Sequence, residues 1–440
     1  MTQLDHRPTP PADLLIRGAH VLDPRTGIDA PHDVLIRGGA IAQIGEPGTL
    51  EHDGEVIGGE GRHLFPGFVD PHVHLRVPGQ EHKEDLDSGT RAAAAGGFVA
   101  VVAMPNTDPV VDSASILGSL REAARREARI PVGFLASVTR GLHGEALTEM
   151  AELRAAGALG FTDDGKPVHR AGILRKALQY QKLAGGIIAL HEEDPTLSGR
   201  GVMHEGEVSA RLGLAGIPSI SESTLIARDA SLARYEDGRI HIQHLSARES
   251  VEAIAEAKAR GVRITCEASP HHLTLTHDAL LETLDTRLKM NPPLRSEDDR
   301  QALIAGLRDG TIDCIATDHA PHAREEKEVP FEEAPMGTTG LETAFAAVYT
   351  ADVIPLALLV SKLSAGAALM GLATPEIAVG RPANLVLIDL EAEWEVGEAG
   401  YESRSENCAF AGRRLRGRVL TTVAAGAVAY RERSIALQAA

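Results

Sequence analysis

Eight short apolar runs, separated by amphipathic stretches, limit the folds open to this chain more than any other feature. They lie around residues 68–74, 98–104, 131–138, 158–163, 186–191, 239–244, 262–268 and 312–317. Helix signals fall between them. Ser246-Ala247-Arg248-Glu249 has the pattern of a capping box ahead of Val251, Ile254 and Ala255, and Ser296 precedes a run carrying Leu303, Ile304 and Leu307. Strands that alternate with helices pair in parallel, because each return crossing needs a dozen or more residues. Eight such units predict an α/β fold, a closed (β/α)8 barrel of the TIM type, although periodicity alone also fits an open doubly wound sheet.

The ends of the chain have a different texture. Leu14-Leu15-Ile16, Val34-Leu35-Ile36 and Ile41-Ala42-Gln43-Ile44 are strand-like runs broken by Gly and Asp, and the style returns at Asn384–Ile388 and Arg418-Val419-Leu420. Residues 1–65 and 370–440 are therefore expected to form the two halves of a small β-sandwich domain, with the barrel spanning 66–369.

Composition excludes several partners. A formal net charge of −18 opposes phosphate binding, and one Trp with five Tyr offers little surface for stacking bases, so no nucleic-acid partner is expected. The uncharged run Ala92–Asn106 falls short of the ~20 residues that span a bilayer, so no membrane partner is expected either. Cys266, Cys314 and Cys408 lack CxxC spacing, and the N-terminal stretch with Asp5, Pro8, Pro10 and Pro11 does not resemble a signal peptide. The expectation is a cytoplasmic protein with unpaired thiols, acting on a small molecule.

The chemistry gathers where strands end. Asp70-Pro71-His72-Val73-His74 closes the first run, and alternation along a strand points His72 and His74 to one side. Alone, a His-x-His is compatible with two strand-end histidines that bind nothing. Further candidate ligands end later runs: Asp163-Asp164 the fourth, His191 the fifth, His244 the sixth and Asp318 the eighth. In a barrel these ends share one rim. Four histidines with two carboxylates suit two divalent cations about 3.5–4 Å apart.

Seven segments carry a family likeness: Asp70–Gly79, Ala103–Thr107, Phe161–Gly165, His191–Asp194, Ser269–His272, Lys289–Arg295 and Ala316–His322. With them the chain resembles, over nearly its whole length, the bacterial class I dihydroorotases of the amidohydrolase superfamily. The resemblance implies two zinc ions per subunit. His72, His74 and Asp318 would hold one, His191 and His244 the other, with Asp164 and a hydroxide bridging them where many relatives use a carboxylated lysine. Asp163 would face away. The implied reaction is the reversible cyclisation of N-carbamoyl-L-aspartate to L-dihydroorotate and water, within pyrimidine biosynthesis, with Asp318 as general acid and base.

Arg76, Asn106 and His322 match residues that hold the unreactive carboxylate, with Arg76 on the face of His74 if the strand continues. Asn291 matches a ring contact, Met336 and Gly337 match backbone contacts, and His74 is a substrate contact besides being a ligand. Residues 321–340 resemble the family's active-site loop, a lid that must open. His271 and His272 are assigned to structure. Val77 and Glu192 depart from the pattern, standing where Glu and Cys are usual. A homodimer, or a complex with aspartate transcarbamoylase, is what the resemblance implies about assembly. Two rivals remain: a dihydropyrimidinase or allantoinase, whose bridging lysine has no counterpart at Phe161–Asp164, and a non-catalytic subunit, which would have lost metal ligands.

Overall fold

Each of the eight apolar runs becomes a strand. The computed structural model describes residues 4–432; residues 1–3 and 433–440, the outermost parts of the two expected terminal segments, lie outside the described residues. The barrel strands are β1 (Phe68–Val73), β2 (Phe98–Ala103), β3 (Val132–Ala136), β4 (Gly160–Thr162), β5 (Ile187–Leu190), β6 (Arg239–Ile242), β7 (Arg263–Ala268) and β8 (Cys314–Ile315). They pair in parallel and in sequence order from β1 to β8.

Val73 pairs in parallel with His319, and the His74 amide donates to the His319 carbonyl at 2.9 Å, which brings the chain after β8 back to β1. Asp70 fastens the same seam: its carboxylate accepts from the Thr317 hydroxyl at 2.5 Å and from the Thr317 amide at 3.2 Å. The barrel is closed, not open. Strands covered on both faces read as continuous apolar runs, and β2, Phe-Val-Ala-Val-Val-Ala, is buried throughout.

One helix start differs from its sequence reading. The helix Arg248–Ala259 begins after Ala247 with no side-chain cap. Ser246 is occupied elsewhere: its hydroxyl bonds the Glu222 carboxylate and accepts from Arg295 Nε at 2.9 Å. Ser296 does cap its helix, Glu297–Asp309, in a reciprocal box with Asp299.

Strands from both chain ends form one mixed eight-stranded sheet. His63–Pro66 joins the halves, pairing parallel with Leu14–Asp23 on one side and antiparallel with Leu385–Glu395 on the other. The expected sandwich is thus a single continuous sheet whose two hairpin turns meet. The Ala12 amide donates to the Gly426 carbonyl at 2.7 Å, and the Gly39 amide donates to Ala12 at 2.9 Å. Period-two alternation splits its contacts: Leu385 and Leu387 enter the sheet's own core, while Val386 and Ile388 enter the barrel core. Among the described residues no helix is long and apolar enough to cross a membrane, and all three cysteines are buried and unpaired.

Candidate metal centre at the barrel mouth

The C-terminal ends of β1, β4, β5, β6 and β8 deliver His72, His74, Asp164, His191, His244 and Asp318 to one point, and all six are buried. His72 Nε2 lies 3.6 Å from Asp164 Oδ1 and 3.5 Å from Asp318 Oδ1; His74 Nε2 lies 3.4 Å from Asp164 Oδ2 and 3.1 Å from Asp318 Oδ1. On the other flank, His191 Nδ1 and His244 Nε2 approach Asp164 Oδ1 to 3.8 and 3.6 Å. Asp164 is therefore the common neighbour of all four imidazoles. His244 and Asp318 have φ of +32° and +48°, a region non-glycine residues rarely occupy, at the turns where the chain leaves β6 and β8. Such strain persists only where the surroundings enforce it, and it collects at functional sites.

These residues fit a divalent cation. His72 Nε2 and Asp164 Oδ1 face the centre, buried, with no hydrogen-bond partner, which is costly unless something else satisfies them. At the centre two sets have their donor atoms close enough to share an ion, His72–His74–Asp318 and His72–Asp164–His244, and behind it His241, Glu267 and Cys314 form a third group. Burial opposes charge on Asp164 and Asp318, but the surrounding histidines, His72 foremost, outweigh it and hold both carboxyls well below their ordinary range. Ionised oxygens beside imidazole nitrogens are the donor set zinc-like ions take.

The histidines are oriented from behind. His72 Nδ1 donates to Glu267 Oε1 at 2.6 Å, His74 Nδ1 to Asn106 Oδ1 at 2.9 Å, and His191 Nε2 to Glu193 Oε2 at 3.2 Å. With a cation bound, each such bond would fix the tautomer and leave the opposite nitrogen's lone pair for the metal. Glu267 also accepts from His241 Nε2 at 3.0 Å; burial opposes its charge, yet His72 and His241 lower it to about 2.

Asp163 faces away, accepting from the amides of Val138 at 2.8 Å and Thr139 at 3.0 Å. His271 and His272 share the Ser269 hydroxyl, and His272 Nε2 donates to the Pro292 carbonyl at 2.9 Å. Both are buried in structural bonds.

Comparison with known proteins now bears on this geometry. Residues 61–250 match the model of the family described as dihydro-orotase-like. The dihydroorotase of Trichlorobacter lovleyi is 43% identical over 422 residues, spanning 95% of this chain and 99% of that protein. The dihydroorotase of Anaeromyxobacter dehalogenans is 45% identical over 427 residues, spanning 95% and 98%. The chain belongs to the dihydroorotase family. Its fold extends further: the L-hydantoinase (dihydropyrimidinase) of Arthrobacter aurescens superposes with a TM-score of 0.83 at 23% identity, covering 94% of this chain and 95% of that one. A D-hydantoinase from Thermus sp. gives 0.79 at 25% identity, covering 95% of each.

For a dihydroorotase the remaining expected residues form the wall of the mouth, and one of them, Arg76, is placed differently from its sequence reading. β1 ends at Val73, so Arg76 does not sit on a continued strand; it reaches the centre through a turn with φ of +61°. Its Nε donates to the Pro321 carbonyl at 3.0 Å, and no bond to a described residue occupies its two terminal nitrogens. Burial lowers Arg76 to about 10, which leaves it a cation at neutral pH.

Asn106 is engaged on both sides, accepting from His74 and donating to Asp164 Oδ2 at 3.2 Å, so it orients both side chains. Asn291 Nδ2 donates to Glu193 Oε2 at 2.6 Å, and His322 Nε2 to the Met336 carbonyl at 2.9 Å. The Gly337 amide donates to the Lys289 carbonyl at 2.9 Å.

Glu267 and Glu193 escaped the sequence reading. Glu267 had a signal, as a lone carboxylate inside the buried run Cys266-Glu267-Ala268. Glu193 lay within a quoted motif but next to His191, and nothing in spacing tells a ligand's support from its neighbour.

Proposed function

We propose that this chain catalyses the reversible cyclisation of N-carbamoyl-L-aspartate to L-dihydroorotate, the ring closure of pyrimidine biosynthesis, in the cytoplasm. The observation that carries the reading is the convergence of six buried ligands around the partnerless His72 Nε2 and Asp164 Oδ1, with the Arg76 guanidinium alongside. His72, His74 and Asp318 would hold one cation, His191 and His244 a second, and Asp164 would touch both. Zinc suits these nitrogen and carboxylate donors. Cations bound there supply Lewis acidity, lowering the pKa of water towards 7 and polarising the amide carbonyl.

The protein's own groups do the rest. Asp318, held ionised by its histidines, accepts a proton from the attacking water and returns it to the leaving ring nitrogen; in the closing direction it takes the proton from the ureido nitrogen. The free terminal nitrogens of Arg76 offer a planar fork to the substrate's unreactive carboxylate. Asn291 and His322, with the backbone of Met336 and Gly337, border the ring. An assay of dihydroorotate beside hydantoin, dihydrouracil and allantoin tests the reading. Turnover of dihydroorotate alone is expected, and preference for an uncharged ring would overturn the role of Arg76. The family resemblance supports assembly as a homodimer or with aspartate transcarbamoylase; sedimentation of the chain with and without that partner tests it.

A further inference from the structure

Residues 321–340, which by resemblance form a lid that must open, are fastened at both tip and neck. At the tip stand two buried lysines, Lys289 ahead of the Asn291 turn and Lys327 within the loop. Their ammonium groups cross. Lys327 Nζ donates to the carbonyls of Thr286 at 2.9 Å, Lys289 at 3.3 Å and Pro335 at 2.7 Å. Lys289 Nζ donates to the carbonyls of Phe331 at 2.8 Å and Glu332 at 2.9 Å, and sits 5.5 Å from the centre of the Phe331 ring.

Phe331 itself is buried in a satellite core with Leu288 and Met290. At the neck, the Asn407 side chain accepts from the His322 amide at 3.0 Å and donates to the carbonyls of Ala320 and Gly337, each at 3.1 Å.

We infer that Lys289, Lys327 and Asn407 are positioning residues for the reaction: together they hold Asn291, His322, Met336 and Gly337 in the arrangement that meets the substrate. This deepens the function proposed above and rests on it. The argument is one of cost and connection. Burying ammonium groups is expensive, and packing alone is served better by apolar side chains. Burial, helped by the neighbouring Lys289, lowers Lys327 to about 7, a measure of that cost. The bonds run directly to the site: the Lys289 carbonyl takes the Gly337 amide, and Lys289 is two residues from Asn291. Loosening groups that bind substrate and transition state alike raises KM and leaves kcat nearly unchanged.

The test uses the metal-loaded protein with Lys327→Met and Asn407→Ala, and Lys327→Arg as the charge-keeping control. Lys327→Met and Asn407→Ala should each raise KM for dihydroorotate by about 10-fold or more, with kcat within about 3-fold and metal content unchanged. Lys327→Arg should recover part of the loss. Limited proteolysis should cut residues 321–340 faster in both variants than in the wild type, a readout that needs no turnover and so separates failure of the clamp from failure of the proposed reaction. Should neither variant fold, Thr286→Val removes only the 2.6 Å bond from the Thr286 hydroxyl to the Lys327 carbonyl and should raise KM about 2-fold. Folded variants with wild-type KM and wild-type cleavage of the loop would overturn the inference.

Discussion

On the floor of the barrel mouth three imidazoles are tied from behind and turn their other nitrogen to the centre, that of His72 without a partner, whereas along the wall most polar groups are already bonded to one another. His72, His74 and His191 rest against Glu267, Asn106 and Glu193, and the centre they face holds two partnerless buried atoms. The wall groups pair with neighbours, Asn291 with Glu193 and His322 with the Met336 carbonyl, while among the described residues nothing occupies the two terminal nitrogens of Arg76. The floor is built to receive a cation. On the proposed reading the wall exchanges internal bonds for bonds to a substrate, with Arg76 as its ready contact.

That contrast yields expectations that can be broken. The largest effect is metal removal: chelation and dialysis should abolish dihydroorotate turnover, and zinc should restore it while circular dichroism stays unchanged. Next comes Asp318→Asn, which removes the proposed acid–base group; kcat should fall by about 1,000-fold, within the range such groups contribute, without loss of the folded barrel. Arg76→Ala belongs to the wall and should raise KM by roughly 10- to 100-fold, the worth of a charged hydrogen-bonding contact, with metal content intact. Glu267→Gln belongs to the floor although it touches neither metal nor substrate. It should weaken metal affinity by about 10-fold, the low end for such supporting residues, and recover kcat when zinc is in excess. An Arg76 variant that loses metal, or a Glu267 variant that changes only KM, would erase the distinction between the two regions.

The same contrast explains what the sequence could be made to say. The proposed ligands on the floor follow strand ends, and strand ends follow the apolar periodicity, so His72, the pair Asp163-Asp164, His191, His244 and Asp318 were legible as candidates from where eight runs stop. Alternation puts Asp163 and Asp164 on opposite faces, and the family resemblance is what turned Asp164 inward. Arg76 fails the same logic because β1 ends at Val73 and a positive-φ turn intervenes, which no period-two pattern encodes.

Residues whose role is to hold others were the least visible. Ser246 looks like a helix cap and instead serves Glu222 and Arg295. Lys289 and Lys327 look like surface charge and are buried among carbonyls. Such roles depend on partners dozens of residues away; Lys327 and Thr286, for example, are separated by 41 positions. The two-part β-domain was visible as strand-like runs at both ends, but its joining by His63–Pro66 into one sheet was not, because pairing partners leave no local mark.

The central claim is that Asp164 is the shared ligand of a two-cation centre. Metal analysis of the purified wild-type protein and of Asp164→Ala, each assayed with dihydroorotate, tests it most directly. The account expects about two divalent cations per wild-type chain, and in the variant fewer than one with no measurable turnover. An Asp164→Ala protein that keeps two cations and wild-type turnover would contradict it.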